Sequence, residues 1–203
     1  MHTYHINEIF YSLQGEGFHT GQPAVFVRFA GCNLRCTFCD TDFSHSEPMT
    51  AQQIAERVFT YSTDPHTLIV LTGGEPSLQV DNQLIKALHA HHMTIAIETN
   101  GTRQIPDGID WVTVSPKADD SVTTSTKADG SVTPLLLTRA NEVKIVFTPQ
   151  TLPLLDHWRS TIQADHYFLQ PCSCANTDEV IAYILAHPYW RLSLQTHKYL
   201  HIR

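Results

Sequence analysis

Three of the five cysteines crowd into the run Gly31-Cys32-Asn33-Leu34-Arg35-Cys36-Thr37-Phe38-Cys39, with the spacing C-x3-C-x2-C. Three thiolates on one loop can hold three irons of a cubane cluster. Iron–sulfur clusters normally take four cysteines, so a count of three leaves one iron open. Open coordination positions are where metal centres do chemistry. The alternative is zinc, with His45 or a distant cysteine as fourth ligand. Zinc sites more often use paired C-x2-C units, and only one such unit is present here. An odd cysteine total with this crowding suits a metal site in a reducing compartment better than a disulfide framework. The remaining pair, Cys172-Ser173-Cys174, has no basic neighbour to lower a thiol pKa and reads as inert, with a labile disulfide as the alternative.

The elements that must position this loop alternate between short apolar runs and helical patterns. Strands are expected at Ala24 to Ala30, Leu68 to Thr72, Thr94 to Thr99, Trp111 to Ser115, Val143 to Phe147, Tyr167 to Gln170 and Leu192 to Gln195. Thr50 can cap a helix whose inward face carries Ile54, Val58 and Phe59. Leu84, Ile85 and Leu88 mark a second helix, and two more fit Leu152 to Ala164 and Thr177 to Ala186. Strand–helix alternation implies an α/β fold with a mostly parallel sheet. About a dozen residues separate the strands around Thr99 and Trp111, too few for a full crossover helix. The expected architecture is therefore a trimmed α/β barrel. The near-repeat KADDSVT and KADGSVT, within Lys117 to Thr133, reads as a polar loop or hairpin.

The polar, Gly-rich and Pro-rich motifs all follow strands. The cysteine loop follows Ala24 to Ala30, and Thr72-Gly73-Gly74-Glu75-Pro76 follows Leu68 to Thr72. Asn100-Gly101, Ser115-Pro116-Lys117, Gln170-Pro171 and Thr196-His197-Lys198 do the same. Parallel α/β folds bind ligands at the carboxyl ends of their strands, so these motifs point to one large site on one rim. Glycines in Gly73-Gly74 let a ligand approach the backbone, although the motif alone is a common turn.

Composition bounds the rest. The 203 residues fit one domain, 1–203, with a sizeable core. A formal net charge of −7 argues against nucleic acid as a direct partner and for a small-molecule substrate. No secretory signal and no apolar run long enough to span a bilayer are visible, so a soluble cytoplasmic protein without a membrane partner is expected.

The cysteine spacing, with Phe38 at an aromatic position before the last cysteine, resembles the radical S-adenosylmethionine (SAM) superfamily. The resemblance implies a partial (β/α)6-type barrel with mostly parallel strands. It also implies a 4Fe–4S cluster on Cys32, Cys36 and Cys39, with SAM chelating the open iron. SAM contacts then fall on Phe38, Cys39, Asp40, Gly74, Ser115, Pro116, Lys117, Gln170, Pro171, Cys172 and Ser173.

The stretch Ile9-Phe10-Tyr11-Ser12-Leu13-Gln14-Gly15-Glu16-Gly17, followed by Val27-Arg28-Phe29, narrows the match. With TGGEP, ETNG, SPK and Leu194-Gln195-Thr196-His197-Lys198 it resembles the 7-carboxy-7-deazaguanine synthases. That family contracts the ring of 6-carboxy-5,6,7,8-tetrahydropterin, with loss of ammonia, on the way to deazapurines such as queuosine. The resemblance implies substrate contacts at Leu13, Gln14, Gly15, Glu16, Arg28, Thr72, His197 and Arg203, the last through the terminal carboxylate. Arg28 suits the substrate carboxylate, with a surface salt bridge as its alternative, and Glu16 suits the pyrimidine N–H donors. The resemblance further implies magnesium on Thr41, an external electron donor such as a flavodoxin, and a homodimer. The rival readings are another radical SAM enzyme, such as a glycyl-radical activase, and a non-catalytic iron–sulfur or zinc module.

Overall fold

The computed structural model describes residues 2–36, 39, 41–42, 45–117 and 135–203. Phe38, Asp40 and the near-repeat after Lys117 lie outside these residues. The order of elements is β1 (Tyr4–Leu13), β2 (Pro23–Phe29), β3 (Glu47–Met49), α1 (Ala51–Tyr61), β4 (Leu68–Gly73), α2 (Asn82–Leu88), β5 (Ile95–Thr99), β6 (Trp111–Val114), β7 (Arg139–Phe147), α3 (Leu155–Thr161), β8 (Gln163–Pro171), α4 (Thr177–Ala186), β9 (Arg191–Leu192) and α5 (Thr196–Leu200). The strands form one sheet in the order β3-β1-β2-β4-β5-β6-β7-β8-β9. The pairings of β1 with β2 and β3 are antiparallel, and from β2 across to β9 every pairing is parallel. β3 and β9 remain open edges, so the sheet is an unclosed, mostly parallel α/β barrel, as the sequence implies.

Side chains alternate between the two faces of each strand. On one face Val25, Val27, Phe29, Ile69, Leu71, Ile95 and Ile97 pack with Ile54 and Val58 of α1 and Leu84, Ile85 and Leu88 of α2. Val143, Ile145, Phe147 and Leu169 pack with Leu155 and Trp158 of α3 and Val180 of α4. The other face starts with an apolar layer of Phe10, Ala24, Phe26, Leu68, Val70, Ala96 and Trp111. Two residues further along β2, β4 and β5 stand Arg28, Thr72 and Glu98. Arg28 is in register with Thr72, and Lys144 and Val146 of β7 face Phe168 and Gln170 of β8. An apolar floor thus carries a polar layer at the strand carboxyl ends.

Helix α1 starts as expected. Thr50 Oγ1 accepts from Gln53 N, and Gln53 Oε1 accepts from Thr50 N at 2.8 Å, a reciprocal capping box. No helix connects β5 to β6; Ile105 and Ile109 of the connection cover the core instead.

Three expectations need correction. The helix expected over Leu152 to Ala164 is a 3-10 turn at Leu152–Leu154, then α3, which stops at Thr161. Ile162 is extended, and Gln163 N already donates to Thr138 O at 2.8 Å, because β8 must pair with β7 from its first residue. Strand pairing here overrides local helical periodicity. The last strand is confined to Arg191–Leu192, and Ser193 turns to hydrogen-bond Gln170. Tyr4–Leu13, of which only Ile9 to Leu13 stand out in the sequence, as the start of a motif, form the ten-residue β1. No helix among the described residues is long and apolar enough to cross a membrane.

Candidate active site

The strand carboxyl ends open onto one cavity of about 1040 Å³. Of the residues expected to meet the cofactors, Cys32, Cys36, Cys39, Thr41, Gly74, Ser115, Lys117, Gln170, Pro171, Cys172 and Ser173 line it. Of those expected to meet the substrate, Leu13, Gln14, Gly15, Glu16, Arg28, Thr72, His197 and Arg203 line it as well. Pro116 is buried and is not part of the wall.

The cysteine loop is docked through backbone. Gly74 N donates to Phe29 O at 3.0 Å and Glu75 N to Gly31 O at 2.9 Å. A Cβ on Gly74 would sit 2.0 Å from Gly31 O, so only glycine allows this approach. Asn100 Nδ2 donates to Asn33 Oδ1 at 3.0 Å, and Asn33 Nδ2 donates to Thr102 Oγ1 at 2.8 Å, tying the loop to the end of β5. The Glu75 carboxylate, 1% exposed, accepts from Thr99 Oγ1, Asn100 N and Ser77 N. It is therefore a clamp between the loops after β4 and β5.

No disulfide joins the five cysteines. Burial pushes the Cys32 thiol up, against the Leu34 N–H that donates to its sulfur. Lys117 Nζ donates to Ser115 Oγ at 2.6 Å, and burial holds its ammonium below the ordinary range. Among the described residues no group of three or more His, Cys, Asp or Glu converges to hold a single metal ion. A cubane spans more space than one ion, so thiolates that embrace it need not meet at a point. Three cysteines on one cavity wall match its donor set.

The turn between β1 and β2 also lines the cavity. Gln14 N donates to Gln22 O and Gly21 N to Gln14 O, at 2.8 and 2.7 Å, closing the hairpin. Gln14 Oε1 accepts from Glu16 N at 3.1 Å, and Gln14 Nε2 donates to Glu98 Oε1 at 3.2 Å. Lys144 Nζ donates to Glu16 Oε2 at 2.5 Å and to Glu98 Oε1 at 3.2 Å. Gln195 Nε2 donates to Glu16 Oε1 at 2.9 Å, and Thr72 Oγ1 to Glu98 Oε2 at 3.0 Å. Burial alone would push the Glu16 carboxyl up. The Lys144 ammonium and the donors Lys144 and Gln195 reverse this and hold it below the ordinary range. Lys144 is held above its ordinary range against its own burial, chiefly by Glu16 and then by Glu98.

Arg28 Nε donates to Glu8 Oε1 at 2.9 Å, and the Arg203 guanidinium pairs with Glu8 Oε2. Both guanidinium groups lie over the Phe10 ring, at 5.8 and 4.9 Å from its centroid. The ion pair weighed for Arg28 in the sequence thus exists, within the cavity wall itself.

Sequence reasoning missed Glu8, Glu98 and Lys144. The signal for Lys144 was present: in Asn141-Glu142-Val143-Lys144-Ile145-Val146-Phe147 the charges share one strand face between core-facing apolar residues. A buried lysine needs partners, and those partners lie far away in sequence.

Residues 26–128 match the model of the radical SAM superfamily. A 7-carboxy-7-deazaguanine synthase of Bacteroides thetaiotaomicron is 49% identical over 98% of both chains. One from Caulobacter vibrioides is 43% identical, also over 98% of both. The crystal structure of QueE from Escherichia coli superposes with a TM-score of 0.77 at 29% identity, covering 95% of this chain and 93% of that one.

Proposed function

Because the chain belongs to the 7-carboxy-7-deazaguanine synthase family of radical SAM enzymes, we propose that its cavity holds the cofactors at the cysteine loop and reads a carboxylated pterin between Arg28 and Glu16. The chain is a radical SAM lyase of the queuosine pathway. The observation that carries the reading of the site is that the cysteine loop and the Glu16 turn open on the same cavity.

Membership of the superfamily implies a 4Fe–4S cluster and SAM. When bound, they supply the hydrogen-abstracting radical chemistry that initiates ring contraction. Cys32, Cys36 and Cys39 would hold the cluster. Gly74, Ser115, Lys117 and the Gln170 to Ser173 loop would border SAM. The substrate in this reading is 6-carboxy-5,6,7,8-tetrahydropterin, and the net change contracts its reduced ring and releases ammonia.

The chain's own residues bind and orient. Glu16 is an ionised, acceptor-only carboxylate, suited to an amino group beside a ring N–H. Arg28 offers a guanidinium to the substrate carboxylate, steadied through Nε by Glu8. Thr72, fixed by Glu98, and His197, packed on Gly15, border the ring. The reacting carbon then lies toward the cysteine loop, over the apolar floor that keeps water from beneath.

Magnesium at Thr41 belongs to this reading, supported by that hydroxyl and Asp42 in the same wall. An external one-electron donor such as a flavodoxin and a second copy of the chain belong to it through the family likeness. A reducing, cytoplasmic setting belongs to it through the odd cysteine total and the crowding of three cysteines on one loop.

The test is anaerobic turnover of reconstituted protein with SAM, a reductant, magnesium and 6-carboxy-5,6,7,8-tetrahydropterin, read by mass spectrometry. Formation of 7-carboxy-7-deazaguanine with SAM conserved is expected. SAM cleavage without that product overturns the substrate reading. Activity unchanged by chelation of magnesium removes the metal from it.

A further inference from the structure

We propose that Lys144 is the positioning residue of the pterin-reading end: its ammonium, bridging Glu16 and Glu98, aims the Glu16 carboxylate and locks the Gln14–Glu16 turn to β5 and β7. The inference rests on the reading that Glu16 accepts from the pyrimidine edge of the substrate.

Lys144 stands on β7 with a side chain only 7% exposed. Its Nζ bridges two carboxylates from elements far apart in the chain, Glu16 in the β1–β2 turn and Glu98 on β5. Glu98 in turn accepts from Gln14 Nε2 and Thr72 Oγ1. The ammonium thus sits at the junction of three residues assigned to substrate, namely Gln14, Glu16 and Thr72. Two of its three N–H groups go to these carboxylates, which fixes its position as well as theirs.

The charge matters as much as the placement. Glu16 faces Glu98 of β5 and Glu142 of β7, both acids, as well as Lys117 beyond β6 and His197 of α5. Burial and the neighbouring acids favour the protonated form of Glu16. The Lys144 ammonium, in direct contact, tips the balance to the carboxylate. A protonated Glu16 would present an O–H toward the amino and N–H donors of a 2-amino-4-oxopyrimidine edge, setting donor against donor. Lys144 therefore selects ligands that present adjacent donors, without touching them.

The role differs from a merely structural ion pair in its pH signature. The holoenzyme, its cluster content checked by absorption and its folding by thermal melting, is titrated calorimetrically with the non-reacting probe 6-carboxypterin between pH 5.5 and 7.5. Wild-type affinity is expected to change less than threefold over this range. Lys144→Met and Lys144→Gln are expected to bind at least tenfold more weakly at pH 5.5. Their deficit should shrink as rising pH ionises Glu16. Lys144→Arg, which keeps the charge, should restore the flat profile. In turnover with 6-carboxy-5,6,7,8-tetrahydropterin the two neutral variants should raise KM more than they lower kcat.

An unchanged affinity in Lys144→Met and Lys144→Gln overturns the proposal, as does a deficit that is the same at every pH. Failure of both variants to fold or load a cluster makes Lys144 a fold-holding residue and equally overturns it. Failure of the underlying substrate reading is distinct, because it appears in the wild type as SAM cleavage without ring-contracted product.

Discussion

Gly15 and His197 are in direct contact across the length of the chain: a Cβ built on Gly15 would lie 2.3 Å from His197 Nδ1 and about as close as 3.1 Å to His197 Cβ. Thr196 N and Thr196 Oγ1 both donate to Gly15 O, at 3.0 and 2.9 Å. The start of α5 is therefore seated on the β1–β2 turn, and two distant motifs become one wall of the cavity. The backbone carbonyl of Gly15 anchors the helix, and the missing side chain makes room for the imidazole.

Gly15→Ala should consequently damage the substrate end while sparing the cofactor end. The clash involves the root of His197 as well as its tip, so rotation of the ring cannot relieve it fully. Overpacking of this kind costs about 1–3 kcal/mol. The expected result is a lowered melting temperature and weakened binding of 6-carboxypterin, with cluster content unchanged. His197→Ala in the same chain should recover most of the melting temperature lost to Gly15→Ala, since it removes Nδ1 and Cγ and leaves only the contact to Cβ. Strictly additive losses in the double variant would refute the contact.

Gly74 supports a complementary prediction at the cofactor end. Its Cβ would lie 2.0 Å from the carbonyl oxygen of Gly31, a backbone atom that cannot swing aside. Gly74→Ala should push the loop after β4 away from the cysteine loop, breaking the Gly74–Phe29 and Glu75–Gly31 hydrogen bonds. Iron and sulfide analysis after reconstitution should then show a loss of cluster of at least severalfold, although no cysteine is altered. Full cluster loading in a folded Gly74→Ala protein would show that this docking is dispensable.

What the sequence made legible was mostly local. The Thr50–Gln53 capping box, the apolar face of Ile54 and Val58, and the strand runs ending in Gly- or Pro-rich motifs declare themselves within a few residues. The single rim followed from the rule that parallel strands present ligands at their carboxyl ends. Less legible was whatever depended on partners far away. Ile162 to Ala164 continue a helical pattern, yet β7 claims the chain for pairing from Gln163 onward. Tyr4–Leu13 shows as a strand once β2 pairs alongside it in the opposite direction. Lys144 and Glu98 looked like stray charges in strands, because the turn that uses them is more than a hundred residues from one and more than eighty from the other.

Glu142 provides a pH-dependent test of the buried charge at this end. It is 2% exposed, accepts from Phe18 N through Oε2 at 2.9 Å, and is pushed above the ordinary carboxyl range chiefly by burial, against the pull of Lys144. A carboxyl with a raised folded-state pKa binds its proton more tightly in the folded protein than in the unfolded chain. Its contribution therefore favours folding at acid pH and is lost as pH rises from the unfolded value, about 4.3, through the folded one. Gln in place of Glu142 retains an oxygen for Phe18 N but does not titrate. The melting temperature of Glu142→Gln minus that of the wild type should thus increase from pH 4 to pH 7. A difference that stays flat or shrinks would show that Glu142 is not raised.

Arg28 separates charge from geometry. Lysine at this position keeps one positive charge, yet loses the Nε that bonds Glu8 and the planar fork that meets a carboxylate with two parallel hydrogen bonds. If the guanidinium only balanced Glu8, Arg28→Lys would leave ligand affinity alone. If it reads the substrate carboxylate, 6-carboxypterin should bind about tenfold more weakly, roughly 1.4 kcal/mol. Pterin without the carboxylate should bind the variant and the wild type equally. Glu8→Gln should weaken 6-carboxypterin as well, by a smaller factor, since it loosens the arginine without removing it. Calorimetric titration of both ligands into the three proteins decides the matter. Equal losses for the two ligands would mean that Arg28 shapes the cavity as a whole, and the carboxylate must then be read elsewhere on the wall.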